Sequence, residues 1–188
     1  LMWYQRFIMA TVPASIGRET RVLGLISTGH FMSHYSQLAL YPLFPLMHDD
    51  FGVGYAALGL IVTILNATGA LAQIPIGFLV DRMGAKRILI SGLFIKTLAI
   101  GAMALTSSYE ALLLLAAIAG LGNAVFHPAD YSILMSTMDE RRIGRAFSIH
   151  TAAGSAGSAI APVIILSIAA MWDWRTAVLS VAVFGAIT

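Results

Sequence analysis

Gly77-Phe78-Leu79-Val80-Asp81-Arg82-Met83-Gly84-Ala85-Lys86-Arg87 is the stretch on which the fold turns. Residues 55–80 before it are apolar and hold no Asp, Glu, Lys or Arg. Residues 88–108 after it are apolar and are interrupted only by Lys96. A bilayer core about 30 Å thick is crossed by a helix of roughly 20 apolar residues. The quoted stretch is therefore a short charged turn between two membrane crossings. The same criterion, carried outward, gives spans at 22–47, 55–80, 88–108, 111–137 (interrupted only by Asp130) and 146–171. A sixth starts near 176 and is incomplete at 188, and the chain begins at Leu1. The expectation is a piece of a longer protein: a tail at 1–21 and an all-α bundle at 22–188. The runs are too long for barrel strands of about 10 residues and lack their alternation.

Composition agrees. Of 188 residues, 59% are hydrophobic and only 11% charged, with a mean hydropathy of +0.84. A soluble domain carries about 25% charged residues, so an ordinary cytosolic enzyme is excluded. Disorder is excluded too, because disordered chains are polar or highly charged. No cysteine is present, which removes disulfides, thiolate nucleophiles and Cys-based metal sites. The net charge of +2 forms no basic face, so no nucleic-acid partner is expected.

Charge sets the orientation. Arg6, Arg18 and Arg21 precede the first span; Arg82, Lys86 and Arg87 follow the second; Arg141, Arg142 and Arg145 follow the fourth. These are nine of the eleven Lys and Arg. The opposite turns carry Asp49, Asp50, Glu110 and Asp173, with Arg175 as their cation. Positive turns stay in the cytoplasm. The expectation is a multi-pass protein of the cell (inner or plasma) membrane with a cytoplasmic N-terminus. The apolar stretch 1–14 around Arg6 lacks the charged start and strong core of a signal peptide. It reads as cytoplasmic tail or interfacial helix.

Polar residues inside the spans are few and aligned. The first span holds His30, His34, Gln37 and Tyr41 at i, i+4, i+7, i+11, on one helical face. The fourth holds Asn123, His127 and Asp130 on one face. Ionisable groups at membrane depth usually face a bundle interior or aqueous path, and His and a desolvated Asp both carry protons near neutral pH. His30, His34, Gln37, Asn123, His127 and Asp130 are the candidate proton and substrate pathway. Asn66 and Gln73 read as interhelical hydrogen-bond glue. Lys96 either snorkels to the cytoplasmic headgroups or pairs with Asp130. His150 reads as an interfacial histidine. Pro128 breaks the fourth helix beside His127, and Pro42 and Pro45 break the outer end of the first. Gly154, Gly157 and Ala161, with Pro162 after them, form a small-residue packing stripe. No metal is expected: His30 and His34 have no carboxylate of their own, and no H-E-x-x-H motif occurs. No cofactor is expected either.

The opening stretch resembles the G-x-x-x-D-R-x-G-R-K/R signature of the major facilitator superfamily, with Ala85 in place of one cation. Trp172-Asp173-Trp174-Arg175 resembles the W-R element before the family's sixth helix. The run Gly122 to Pro128, with Phe126-His127-Pro128, resembles the fosmidomycin-resistance-like branch. The family's Arg in the fourth helix is missing here. The resemblance implies a polytopic membrane helix bundle, the N-terminal six-helix half of a twelve-helix fold, whose partner is the C-terminal half of the same chain. It implies that Gly77, Asp81, Arg82, Gly84, Lys86 and Arg87 act as a cytoplasmic latch between the halves. In that latch Gly77 permits close helix contact, Asp81 and Arg82 form ion pairs and Gly84 turns the chain. The first and fourth helices line the family's central cavity, where the polar faces lie.

The resulting expectation is a non-enzymatic secondary transporter. It moves a small organic molecule through the bilayer by alternating access, with protons as coupling ion and efflux as direction. The rival is a proton symporter for uptake of a carboxylate or similar metabolite. A membrane-embedded enzyme and a half-size dimeric transporter rank lower.

Overall fold

A computed structural model describes residues 15–188. The tail or interfacial-helix reading of 1–14 lies outside these residues. The described residues are helical, with no strand among them. Helix α1 (Ile16–Leu38) starts on Ser15, whose hydroxyl accepts from the Arg18 N–H at 3.4 Å. It stops before a 3₁₀ turn (Tyr41–Leu43) and α2 (Phe44–Phe51), each opened by a proline, Pro42 and Pro45. Proline has no N–H and prefers the first helical turn, so two of them split one span into three pieces. Gly52 closes α2 in the left-handed region, φ 63°.

Helix α3 (Tyr55–Met83) runs unbroken through Pro75. Gly84, at φ 89°, turns the chain into α4 (Ala85–Met103), a backbone conformation that glycine adopts freely. Then α5 (Tyr109–Asn123) and α6 (Phe126–Thr137) form one crossing, interrupted at Ala124 and Val125 four and three residues before Pro128. Pro128 cannot donate to the Ala124 carbonyl and its ring crowds that group. Helix α7 (Ile143–Met171) continues through Pro162. Helix α8 (Trp174–Ala186) starts on Asp173, whose carboxylate accepts from Thr176 N–H at 2.7 Å.

The helices pair in a regular way. α1 packs on α7, α3 on α5, and α4 on α8. Exchanging the first three spans for the last three maps α1–α7 onto α3–α5 and α4–α8 onto itself, while the extensive α4–α5 contact has only a slight counterpart between α8 and α1. That is the arrangement of an internal three-helix repeat. Three helical segments, Tyr55–Met83, Tyr109–Thr137 and Ile143–Met171, are long and apolar enough to cross a membrane. The bundle keeps large apolar side chains such as Leu71, Ile74, Phe78, Phe94 and Val163 on its outside. An apolar exterior of that extent suits lipid or a partner bundle, not water.

The core has two levels. One level packs Tyr35, Leu43, Met47, Leu58, Ile61, Leu65, Met103, Leu112, Ile165 and Trp174. The other packs Val80, Ile88 and Phe126 in one group and Ile26, Leu134 and Ala146 in another. Along α1 and α7 the buried histidines fall between these levels. His30 lies between Ile26 and Met32, and His150 lies between Ala146 and Ala161.

Each end of the bundle is tied by an arginine. At the positive end, the Arg142 guanidinium donates to both Glu19 carboxylate oxygens, at 2.8 and 2.9 Å, joining the α6–α7 turn to α1. At the acidic end, Arg175 donates to Asp50 Oδ2 at 2.7 Å and to the carbonyls of Ala104 and Thr106 at 3.0 and 2.6 Å. Trp174 Nε1 adds a bond to the same Asp50 oxygen at 3.1 Å. Three turns are joined there through one planar fork of donors.

Candidate functional site

The polar layer at mid-depth has two parts. The first is a histidine–carboxylate cluster from α1, α6 and α7. Small residues on α7 make it possible. A Cβ on Gly154 would lie 2.5 Å from His30 Cδ2 and 3.0 Å from His34 Cδ2, and a Cβ on Gly157 would strike the Phe31 carbonyl. The α1–α7 approach is close enough to need glycine, which brings the α1 imidazoles against α7. Ala161 is fully buried in the same contact.

Asp130 stands at the centre of the cluster. Its Oδ2 is 3.6 Å from His30 Nδ1 and 3.6 Å from His150 Nε2. The His30 and His150 rings stack with centroids 3.9 Å apart. His34 tilts against His30 at 4.6 Å and makes a 3.2 Å contact from Nδ1 to Ser158 Oγ. The His127 ring meets His30 edge-on at 5.5 Å and Tyr131 at 5.6 Å. Two imidazoles thus flank one buried carboxylate, and His34 and His127 pack against the His30 ring. His150 is fully buried, which corrects its reading as an interfacial histidine. One signal for it was in the sequence, a histidine within an apolar run. Its partners were not, because they lie on other helices.

The second part is Lys96. Its ammonium is buried and donates to the Ser33 carbonyl at 2.8 Å and to Asn123 Oδ1 at 2.7 Å, with Ser33 Oγ at 3.4 Å. Ser33 Oγ donates to the same Asn123 oxygen at 3.0 Å. The Phe126 ring centroid lies 5.3 Å from Nζ. Lys96 therefore neither snorkels nor pairs with Asp130. The cause is a glycine crossing: a Cβ on Gly122 would lie 2.6 Å from the Lys96 N and 2.7 Å from the Gly92 carbonyl. Helices α4 and α5 touch backbone to backbone, so the lysine meets Asn123 before it can reach a headgroup. Ser33 carried no signal in the sequence, since serine is common in membrane helices.

Gln37 and Asn66 join α1 to α3 through a 2.6 Å bond from Nε2 to Oδ1. Gln73 makes no side-chain hydrogen bond among the described residues. Away from this layer, Asp81, Arg82, Gly84 and Lys86 lie exposed on the α3–α4 turn, as does Arg87. None of the charged four forms an ion pair among the described residues, so the ion pairs expected of Asp81 and Arg82 are not made within the bundle. Nothing lies within 4 Å of a Cβ built on Gly77 in this bundle.

The site's chemistry is that of exchangeable protons and lone pairs. His30, Asp130 and His150 each offer a donor atom, all within 4.8 Å of one another, so these three are the residues that could hold a metal ion.

A six-span bundle with paired three-helix repeats and a polar layer at mid-depth is the class of fold used by secondary transporters. The chain belongs to the Major Facilitator Superfamily, whose family model matches residues 26–188. It is 27% identical over 174 residues to the fosmidomycin resistance protein of Escherichia coli (strain K12), covering 89% of this chain and 43% of that protein. It is 28% identical over 143 residues to an uncharacterized MFS-type transporter of Bacillus subtilis (strain 168), covering 76% of this chain and 35% of that protein. It is 22% identical over 139 residues to a probable L-galactonate transporter of Escherichia coli (strain K12), covering 74% and 31%. The chain thus spans less than half the length of these relatives.

Proposed function

We propose that the protein is a secondary active transporter of the cell (inner or plasma) membrane with its N-terminus in the cytoplasm. It moves a small organic molecule by alternating access, exchanging it for protons in the direction of efflux. The observation that carries this reading is the meeting of α1 and α6 at mid-depth, where His30 lies against Asp130 and the His34 and His127 rings pack on His30. Buried ionisable groups on two helices of opposite repeats suit a site that both sides of the membrane reach in turn.

In this reading His127 and Asp130 carry the proton, and His30, His34, Gln37 and Asn123 contact substrate or relay. The exposed turn with Gly77, Asp81, Arg82, Gly84, Lys86 and Arg87 latches against a C-terminal six-helix half of the same chain. Its exposure and lack of partners within this bundle support that role. Gly154, Gly157, Ala161 and Pro162 keep α7 close to α1.

The test is substrate-driven proton release from everted vesicles holding the full-length protein. Asp130→Asn should abolish proton release while substrate binding remains. Full coupling in that variant removes Asp130 from the mechanism. Uptake of a carboxylate by proton symport is the second reading, favoured by the galactonate named for one relative and by the buried Lys96 cation. The direction of accumulation in intact cells separates the two.

A further inference from the structure

The geometry of the histidine–carboxylate cluster leaves an accounting problem. His30 Nδ1, both nitrogens of His150 and both oxygens of Asp130 are buried, with no hydrogen-bond partner among the described residues. Their residues are only 4%, 1% and 1% exposed. An unsatisfied buried polar atom costs about 1–3 kcal/mol, and native structures hold few of them. Five such atoms in one place mark a spot where something else supplies the partner.

The donor types and spacing say what that is. Two imidazoles and one carboxylate are a ligand set of zinc-class ions. Zinc bonds to these atoms are about 2.0–2.2 Å, so tetrahedral ligand atoms lie roughly 3.3–3.5 Å apart. Asp130 Oδ2 is 3.6 Å from each of the two nitrogens that face it. Those two contacts are too long for hydrogen bonds and a few tenths of an ångström wider than in a metal site, and the three ligand atoms all lie within 4.8 Å of one another. The three donors come from α1, α6 and α7, held by the Gly154 and Gly157 contacts. Their placement is therefore a property of the packed bundle. Ser33 and Asn123 hold the one buried lysine, so Lys96 does not occupy the carboxylate.

We infer that His30, Asp130 and His150 form an intramembrane binding site for one first-row divalent transition ion of the zinc class. The fourth position faces the neighbouring His34 and His127 rings and takes one of them or water. The ion ties α1 to α6 and α7 within this half. It also displaces protons from its ligands, so zinc is an inhibitor of any proton exchange at these groups. The site itself depends on neither the direction nor the substrate of transport.

The experiment uses full-length protein in detergent near neutral pH, with Zn²⁺ alone as the probe and no substrate or gradient. Equilibrium dialysis with elemental analysis should find one ion per chain. His150→Ala and Asp130→Asn should each weaken binding by at least about tenfold, the scale of losses at zinc sites. His48→Ala, on α2 and outside the cluster, should retain the site. Wild-type protein loaded with Co²⁺ should show the intense visible bands of a tetrahedral nitrogen–oxygen site, a readout that needs no variant to fold. Absence of stoichiometric zinc, an aquo-like Co²⁺ spectrum, or unchanged affinity in a folded His150→Ala protein overturns the inference. Zinc binding without transport, or transport without zinc binding, separates this inference from the transport reading.

Discussion

Lys96 on α4 donates a 2.7 Å hydrogen bond to Oδ1 of Asn123 on α5, and no carboxylate shares in it. A buried cation held by neutral acceptors keeps its desolvation penalty with little Coulombic return. Replacing it with an apolar residue of similar length is then expected to be neutral or stabilising. Lys96→Met should leave the thermal midpoint of the full-length protein unchanged or raised. Asn123→Leu, which takes one acceptor from the ammonium and the acceptor of Ser33 Oγ, should lose about 1–3 kcal/mol. Thermal unfolding in detergent compares the two, and equal losses would show that the lysine contributes favourably to the fold.

The α1–α7 contact should tolerate nothing larger than glycine at Gly157, because a Cβ there meets the Phe31 backbone, which cannot swing aside. Gly157→Val should destabilise the protein by about 1–3 kcal/mol, as overpacking does. Gly77→Ala, with open space around it in this bundle, should leave the midpoint within error while acting on transport through the latch. Melting curves and transport rates of the two variants check the contrast.

Glu19 ties acid stability to the positive end of the bundle. The hydrogen bonds from Arg142 hold its carboxyl below the ordinary value of 4.5. A group whose pKa is lowered by folding stabilises the fold fully above its unfolded pKa, and loses that contribution as pH falls through the folded one. Wild-type stability should therefore drop on acidification below about pH 4.5. Glu19→Gln should be less stable at neutral pH and should show a smaller acid-dependent loss. Unfolding midpoints measured at neutral and acid pH decide it.

At the opposite end, Arg175 serves Asp50 and two backbone carbonyls at once. A lysine offers a point charge and not a fork. Arg175→Lys should thus behave like Arg175→Ala in thermal stability, despite the retained charge. Rescue by lysine would show that charge alone joins these turns.

Topology is directly accessible, because this chain has no cysteine of its own. Cysteines introduced singly as Asp49→Cys and Lys86→Cys should label from opposite sides in intact cells, with a membrane-impermeant thiol reagent reaching position 49. Labelling of both from one side would overturn the proposed orientation and the transport reading with it.

Sequence alone determined that the chain is an all-helical bundle, since crossing a bilayer demands long uncharged segments and leaves charge in the turns between them. It also marked the breaks at Pro42, Pro45 and Pro128, although α3 and α7 run on through Pro75 and Pro162, so a missing N–H alone does not decide where a helix stops. The family was legible because Asp81, Arg82 and Gly84 lie together in one short turn. Tertiary structure alone decided which polar groups meet. Asp130 and His150 come from different helices, and the glycines of α7 set how closely α1 approaches. Lys96 found Asn123 and not Asp130 because Gly92 and Gly122 let two backbones touch at that depth. Helical periodicity places a side chain on a face, but it does not say which face of another helix stands opposite. That choice belongs to packing, which depends on all the helices at once.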